Sequence, residues 1–199
     1  MSSYVKDDID RYFEYNIHVS TKTLYMGSVD YTAEDEETGT DHKMVEAVVK
    51  GLHILDKIKP DLPLTIIMNN PGGDEYHGMA IYDSIKACTS EVHIKVFGHA
   101  MSMGSIILQA ADWRIMAPHS RMMLHYGTWG HNDHTLNNYR WADEGKKYDK
   151  WMEDLYLSKI RTKKPKYTRA KLKKEISFDY FLSPQEAVDH GLADEVLDV

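Results

Sequence analysis

Apolar and polar residues alternate along several short segments of the chain, and apolar residues recur at helical spacing between them. The strand-like segments are residues 15–19, 23–26, 64–68, 92–97, 113–117 and 121–125. Helical segments are predicted at residues 76–87 and 106–111, and across the positions Met44, Val45, Val48, Leu52 and Leu55. Strands that alternate with helices are typical of a parallel or mixed sheet covered by helices. The pattern therefore predicts an α/β fold.

Length and charge narrow this picture to one acidic domain. The chain has 199 residues, of which 42% are hydrophobic, and single domains commonly hold about 100–200 residues. The formal net charge of −7 argues against nucleic acid as the main partner, because clustered cationic side chains are what bind a phosphate backbone. We expect a single domain over residues 1–199 that does not bind nucleic acid.

Cysteine usage and apolar run lengths predict where the protein resides. The lone Cys88 cannot form an internal disulfide, and residues 1–8 lack the apolar core of a signal peptide. The apolar runs fall well short of the ~20 residues that cross a bilayer. We therefore expect a cytoplasmic protein that is not associated with a membrane.

Two charged stretches are predicted to be solvated. Residues 33–41 are acidic without an apolar period, which favours a loop over a cation site or docking patch. Residues 163–174 are basic, and a solvated helix face is favoured there over a nucleic-acid site. Between them, residues 134–161 are predicted to form a long polar helix.

Ser102 is the candidate nucleophile. It lies between Gly98 and Gly104, where an apolar strand gives way to an apolar helix. Unpaired N–H groups and the helix dipole favour developing negative charge at a helix start. The glycines allow a sharp turn and the close approach of another part of the chain. Catalysis at Ser102 would also need a base and oxyanion donors.

A second junction between a strand and a helix, residues 69–74, is the candidate source of an oxyanion donor. Functional residues of open α/β sheets gather outside the carboxyl ends of the strands, and both junctions occupy such ends. The N–H of Gly73 could therefore act together with the N–H of Met103, the residue after Ser102. A plain turn with no catalytic role is the alternative.

His125 is the best candidate for the base. It closes an apolar strand at the carboxyl end, where an imidazole could take the serine proton. A histidine buried for structural reasons remains an alternative, and the competing histidines are His99, His119, His131 and His134. The spacing of the last two fits a metal pair, but no recognisable motif places a third ligand, so we expect no metal.

Several blocks of the sequence, in this order, resemble the proteolytic subunit of the Clp protease (ClpP). These blocks are NNPGG at 69–73, AIYD at 80–83, GHAMSMGS at 98–105, SRMMLH at 120–125 and DYFLSPQEAVDHGLAD at 179–194. The resemblance covers most of the chain from residue 15 onward. It implies a ClpP/crotonase-like spiral of ββα units, with a short N-terminal segment over 1–14 and a protruding handle helix at about 132–163.

The resemblance also assigns residues to the site. It implies a catalytic triad of Ser102, His125 and Asp179, with oxyanion donors at Gly73 and Met103. Beside these residues we predict substrate contacts at Asp74, Glu75 and Tyr126. Asp179 is assigned by the resemblance alone, because its position does not separate it from the other acidic residues of the chain.

The activity implied is that of a serine endopeptidase that depends on an ATP-driven unfoldase. Such an enzyme cleaves unfolded proteins and peptides inside a chamber built from heptameric rings of one subunit, either one ring or a tetradecamer. The implied partner is an AAA+ unfoldase that uses the ATP, so the chain itself is expected to need no cofactor.

The sequence departs from the family pattern in several places, two of which concern the substrate cleft and the contacts between rings. Residues 126–130 stand where the family has Gln-Pro and a glycine-rich stretch, so we expect a different shape of the substrate cleft. Phe178 stands where an arginine commonly precedes the aspartate, so contacts between rings are expected to differ.

Two other functions remain open. A crotonase-type acyl-CoA enzyme would share the spiral design and the backbone oxyanion hole, but it would not need serine, histidine and aspartate in register. A catalytically silent subunit of a mixed ClpP ring would not react with a fluorophosphonate on its own.

Overall fold

The strand-like segments of the chain form one sheet, and the helical segments pack beside it. The computed structural model describes residues 3–27, 39–59, 61–128 and 130–198. Among these, the strands are β1 (Ile17–His18), β2 (Thr23–Met26), β3 (Leu64–Asn70), β4 (Val92–Met101), β5 (Trp113–Met116), β6 (Arg121–Leu124), β7 (Tyr180–Leu182) and β8 (Glu195–Val196). The helices are α1 (Ser3–Tyr15), α2 (His42–Lys57), α3 (Glu75–Lys86), α4 (Met103–Leu108), α5 (Thr135–Lys163), α6 (Arg169–Glu175) and α7 (Pro184–Asp189).

The sheet is mixed, with a parallel centre. Its order is β1-β2-β3-β4-β5-β8, and the pairs from β2 to β8 are parallel whereas β1 is antiparallel to β2. β6 pairs with β4 in parallel and with β7 in antiparallel fashion. Because β3 and β4 are parallel neighbours, their carboxyl ends meet at one edge, as the sequence predicted for the two junctions.

β4 is longer than predicted, and its length changes the pairing around it. The strand continues past residue 97 to Met101, so the turn is confined to Ser102. The first half of β4 pairs with β5 and its last three residues pair with β6. The segments 113–117 and 121–125, which flank a short turn in the sequence, therefore do not pair with each other as a hairpin would. The turn between them carries the chain further along β4 instead of reversing it.

The hydrophobic core lies on the sheet and against the helices that cover it. β3 alternates strictly, with Leu64, Ile66, Met68 and Asn70 buried and the residues between them partly exposed. Buried residues of α2, α3, α4 and the second half of α5 join the same cluster. Each fully buried leucine or isoleucine contributes about 1.5–3 kcal/mol. The strands that lead to the site, β3 and β4, both contribute buried residues to this core.

The N-terminal region differs from its prediction. The segment over 1–14 contains helix α1, and the predicted strand at 15–19 is reduced to the two residues of β1. Asp8 on α1 accepts hydrogen bonds from the N–H groups of Val19 and Ser20, at 3.1 and 3.0 Å. These contacts hold α1 against the turn that follows β1.

The end of the acidic segment is part of the folded structure. Residues 33–38 lie outside the described residues, but Thr40 is buried and forms a parallel bridge with Gly73. Asp41 caps α2, since its carboxylate accepts from the N–H groups of Lys43 and Met44. For residues 40 and 41 the prediction of a solvated loop is therefore wrong.

The predicted handle helix corresponds to α5, which runs over 29 residues. Its first half exposes large apolar side chains, with Leu136 68% and Tyr139 63% exposed. Its second half packs onto the core through Met152, Tyr156, Leu157 and Ile160. The middle of α5 thus covers the site, and its first part exposes apolar side chains to solvent.

Candidate active site

Ser102 occupies a tight turn between β4 and α4. Its backbone has φ 49° and ψ −121°, a combination that a residue with a side chain rarely adopts. Its N–H donates to the carbonyl of Met123 on β6 at 2.8 Å, which fixes the turn against the neighbouring strand. A strained residue held by its surroundings is a common feature of active sites, because the strain fixes where the side chain points.

Two glycines allow the chain to pass close to this turn. A Cβ at Gly72 would lie 2.6 Å from Cβ of Ser102, and φ there is +115°. A Cβ at Gly104 would lie 2.6 Å from the carbonyl oxygen of Asn70. The two strand-to-helix junctions are thus in direct contact, which only glycine permits at these positions.

The structure brings His125 to Ser102 and Asp179 to His125. Nε2 of His125 lies 2.8 Å from Oγ of Ser102, and its Nδ1 lies 3.0 Å from Oδ1 of Asp179. The β6–β7 register explains the second contact, because Leu124 pairs with Tyr180 and the next residues outward are His125 and Asp179. An aspartate that holds Nδ1–H leaves Nε2 free to accept a proton.

Gly73 and Met103 line one cavity together with Ser102 and His125. Met103 is the first residue of α4, so its N–H has no carbonyl of that helix to donate to. The segment around Gly73 is held by Thr40, whose N–H donates to Gly72 O at 2.6 Å and whose O accepts from Asp74 N–H at 2.8 Å. The two backbone donors therefore belong to fixed segments beside the serine.

Asn70 supports the Gly72–Gly73 turn from inside the protein. Its fully buried side chain accepts from the Gly72 N–H at 2.8 Å and donates to Oγ1 of Thr40 at 2.9 Å. We expect Asn70→Ala to lower the free energy of unfolding by about 1–3 kcal/mol, because the Gly72 N–H would lose its acceptor. Chemical denaturation of both proteins measures this, and an unchanged midpoint and slope would contradict it.

The residues predicted to contact substrate divide into two groups. Asp74 and Glu75 line the cavity beside Ser102, although the Asp74 carboxylate also caps α3 by accepting the His77 N–H at 2.9 Å. Tyr126 is not among the described residues around that cavity. Its hydroxyl donates to Oε1 of Glu153 at 2.6 Å, which turns the ring toward α5.

The competing histidines do not approach Ser102 in the way His125 does. His131 lies in the lining of the same cavity, where its ring packs on Trp141 with centroids 4.8 Å apart and its Nε2 lies 3.5 Å from the Asp133 carboxylate. His134 precedes α5 as its cap residue. Across the described residues, no group of three or more His, Cys, Asp and Glu side chains is arranged to hold a metal ion.

The cavity has a volume of about 360 Å³ and an acidic wall. Burial, with the nearby charges of Asp149, Asp74 and Glu144, raises the pKa of Glu75 to about 7. Burial likewise raises the pKa of Asp149. These shifts show that the carboxylates are partly removed from water and close to one another.

The α5 residues of this wall were not predicted from the sequence. They are Trp141, Glu144, Gly145, Tyr148, Asp149 and Met152. Their spacing follows one face of a helix, which is the signal that could have identified them. The signal is ambiguous in the sequence alone, because a mixed charged and aromatic stripe is equally typical of a solvated helix.

The chain is similar to known proteins along most of its length. A family model described as Clp protease matches residues 36–199. The chain belongs to the Clp protease family. It is 35% identical over 163 residues to the ATP-dependent Clp protease proteolytic subunit of Deinococcus radiodurans, which covers 81% of this chain and 78% of that protein.

A solved structure supports the fold. A mutant of ClpP1 from Listeria monocytogenes matches with a TM-score of 0.74, covering 91% of this chain and 94% of that one at 24% sequence identity. The predicted ClpP-like α/β fold is thereby confirmed. The family and its relatives also confirm a serine-type endopeptidase of the Clp type, and they do not favour the acyl-CoA enzyme or the silent subunit. Within the described ranges, no helix has the length and apolar character to span a membrane.

Proposed function

We propose that Ser102, His125 and Asp179 hydrolyse peptide bonds as a catalytic triad. The observation that carries the proposal is the chain of contacts from Ser102 Oγ to His125 Nε2, at 2.8 Å, and from His125 Nδ1 to Asp179 Oδ1, at 3.0 Å. Nucleophile, base and orienting carboxylate within hydrogen-bond distance are what serine acyl transfer requires.

In this mechanism Ser102 Oγ attacks the peptide carbonyl while His125 accepts its proton. The N–H groups of Gly73 and Met103 stabilise the oxyanion, and losing one such donor costs about 10²–10³ in rate in comparable enzymes. His125 then protonates the leaving amine, and an acyl-enzyme on Ser102 remains. Water, deprotonated by His125, attacks the ester and releases the second product.

Nucleophile, base and oxyanion donors all come from the chain itself. We therefore propose that it needs no cofactor of its own. ATP would be used by a partner, an AAA+ unfoldase that feeds unfolded proteins to the site. The name of the Deinococcus radiodurans relative, which describes that protein as ATP-dependent, supports this proposal. We propose the cytoplasm as the location.

Proteins of this family form oligomeric rings. We propose that this chain forms heptameric rings, alone or as a tetradecamer. The exposed apolar side chains support an assembly, because Leu136 and Tyr139 on α5, and Phe178 at 84% exposure, lie uncovered in one subunit. Phe178 replaces the arginine of the family pattern, so an apolar contact would stand where other members use a charge.

Native mass spectrometry of protein treated with a fluorophosphonate tests both parts of the proposal. We expect every subunit of 23.0 kDa to carry one label, in particles of seven or fourteen subunits. A labelled monomer would support the catalytic triad and contradict the proposed ring. An unlabelled ring would reject the triad and indicate a silent subunit.

A further inference from the structure

The cavity beside Ser102 must receive part of the substrate. Ser102, His125, Gly73 and Met103 are part of its lining. A peptide whose carbonyl lies on the serine and the two backbone donors places the adjoining side chain next to these residues. The chemistry of the remaining wall therefore selects which side chain is accepted.

Part of that wall is apolar and suits a long, flexible stem. Ile106, Trp141, Tyr148 and Met152 line it. Tyr148 is also tied to the reacting end, because its hydroxyl lies 3.4 Å from Sδ of Met103. Methylene groups pack well against such side chains, and aromatic rings attract a cation that lies over their faces.

The rest of the wall is acidic and carries no cationic side chain of its own. Asp74, Glu75, Glu144 and Asp149 line it, and no lysine or arginine does so among the described residues. Asp74 is engaged as the cap of α3, and Glu144 pairs with Lys147 at 2.7 Å. The Glu75 carboxylate has no hydrogen bond or ion pair in the described part of the chain.

Glu75 and Asp149 line the same cavity from two different helices. Glu75 begins α3 and Asp149 lies on α5. The charge of Asp149 raises the pKa of Glu75, and both charges raise the pKa of Tyr148, which lines the same cavity. A partly buried carboxylate without a partner is unfavourable, and a cation that completes the pair removes this cost. The missing partner is expected to come with the substrate.

We propose that this cavity binds a lysine or arginine side chain of the substrate, at the residue that supplies the scissile carbonyl, through Glu75 and Asp149. The inference rests on the proposed catalytic role of Ser102. An uncharged aliphatic side chain would fit the apolar wall, but it would leave Glu75 without a counter-charge and would add nothing to the charge of Lys173 near Asp149, so it would be cleaved more slowly.

Two fluorogenic peptides that differ only at this residue test the proposal with the full-length protein. One carries lysine and the other norleucine, which has the same unbranched carbon chain without the charge. We expect kcat/KM to be about 10- to 100-fold higher for the lysine peptide, the range for a hydrogen bond to a charged group. Equal rates, or faster cleavage of the norleucine peptide, would overturn the proposal.

Variants assign the preference to the two carboxylates. Glu75→Gln and Asp149→Asn should each lower the lysine-to-norleucine ratio about tenfold or more. Asp143→Asn is the matched control, because Asp143 is exposed on α5, pairs with Lys146 and does not line the cavity. If neither carboxylate variant changes the ratio, the assignment is wrong. Fluorophosphonate labelling of each variant verifies that it is folded around Ser102.

The pH dependence of the ratio gives a second readout. Glu75 faces Glu144, Tyr148 and Asp149 on α5, and lies beside Asp74, while His125 and His131 line the same cavity. With the pKa of Glu75 near 7, its negative charge grows between pH 6 and pH 8. The ratio should therefore rise over this range, and the Glu75→Gln variant should lose most of the rise.

The two peptides separate failure of this inference from failure of the proposed function. Cleavage of both peptides without a preference for lysine rejects the acidic pocket and retains the triad. If neither peptide is cleaved and Ser102 is not labelled by a fluorophosphonate, the catalytic role itself is rejected.

Discussion

Replacing Ser102 with alanine should lower kcat for peptide hydrolysis by about 10⁶-fold, to the background rate of the preparation. Alanine removes the oxygen that lies 2.8 Å from His125 Nε2, and no other hydroxyl occupies the turn between β4 and α4. Steady-state hydrolysis of a fluorogenic peptide measures the effect. The size of the loss is large because the members of a triad act as a unit.

The control for this variant is Ser158→Ala. Ser158 is exposed on α5, where its hydroxyl donates to the carbonyl of Leu155 at 2.6 Å and lies outside the lining of the cavity. The Ser158→Ala protein should retain full activity, and both variants should assemble like the parent protein. Substantial activity in purified Ser102→Ala protein would show that another residue is the nucleophile.

Replacing Asp179 with asparagine should lower kcat by about 10²–10⁴-fold. An asparagine amide can donate to His125 Nδ1, which would place the imidazole proton on Nε2, where it cannot accept from Ser102. The range extends down to 10² because the Asp179 side chain is 56% exposed in one subunit, so water competes for its contact with His125 and weakens it.

The Asp179→Asn protein should still be labelled by a fluorophosphonate, but more slowly, because Ser102 itself is unchanged. Asp143→Asn serves again as the control for a lost surface carboxylate. A variant of Asp179 with the parent's kcat would remove this residue from the triad.

The sequence predicted the serine turn because a glycine-flanked serine between an apolar strand and an apolar helix is a local pattern. The position of Asp179 cannot be predicted from a local pattern of this type. It depends on the antiparallel register of β6 and β7, which pair residues more than fifty positions apart. Periodicity contains no information about such a register, so only the family resemblance could supply this residue.

Two further differences have the same physical origin. The strands at 113–116 and 121–124 look like a hairpin along the chain, but β4 is long enough to pair with both. Thr40 was predicted to lie in an acidic loop, yet its backbone holds the Gly72–Gly73 turn that carries a proposed oxyanion donor. In each case a partner distant in sequence determined the outcome.

The acidic wall beside Ser102 is also a product of tertiary structure. Glu75 and Asp149 belong to helices separated in sequence by β4, β5 and β6, and only the packing of α5 over the site brings them to one cavity. Their common location gives the proposed preference for cationic substrates a cause that can be tested residue by residue.

Mapping the fluorophosphonate adduct by peptide mass spectrometry tests the central claim most directly. We expect one modified residue, Ser102. The labelling should slow when His125 is replaced, because the imidazole activates the hydroxyl. An adduct on any other residue, or no adduct on protein that cleaves peptides, would contradict it.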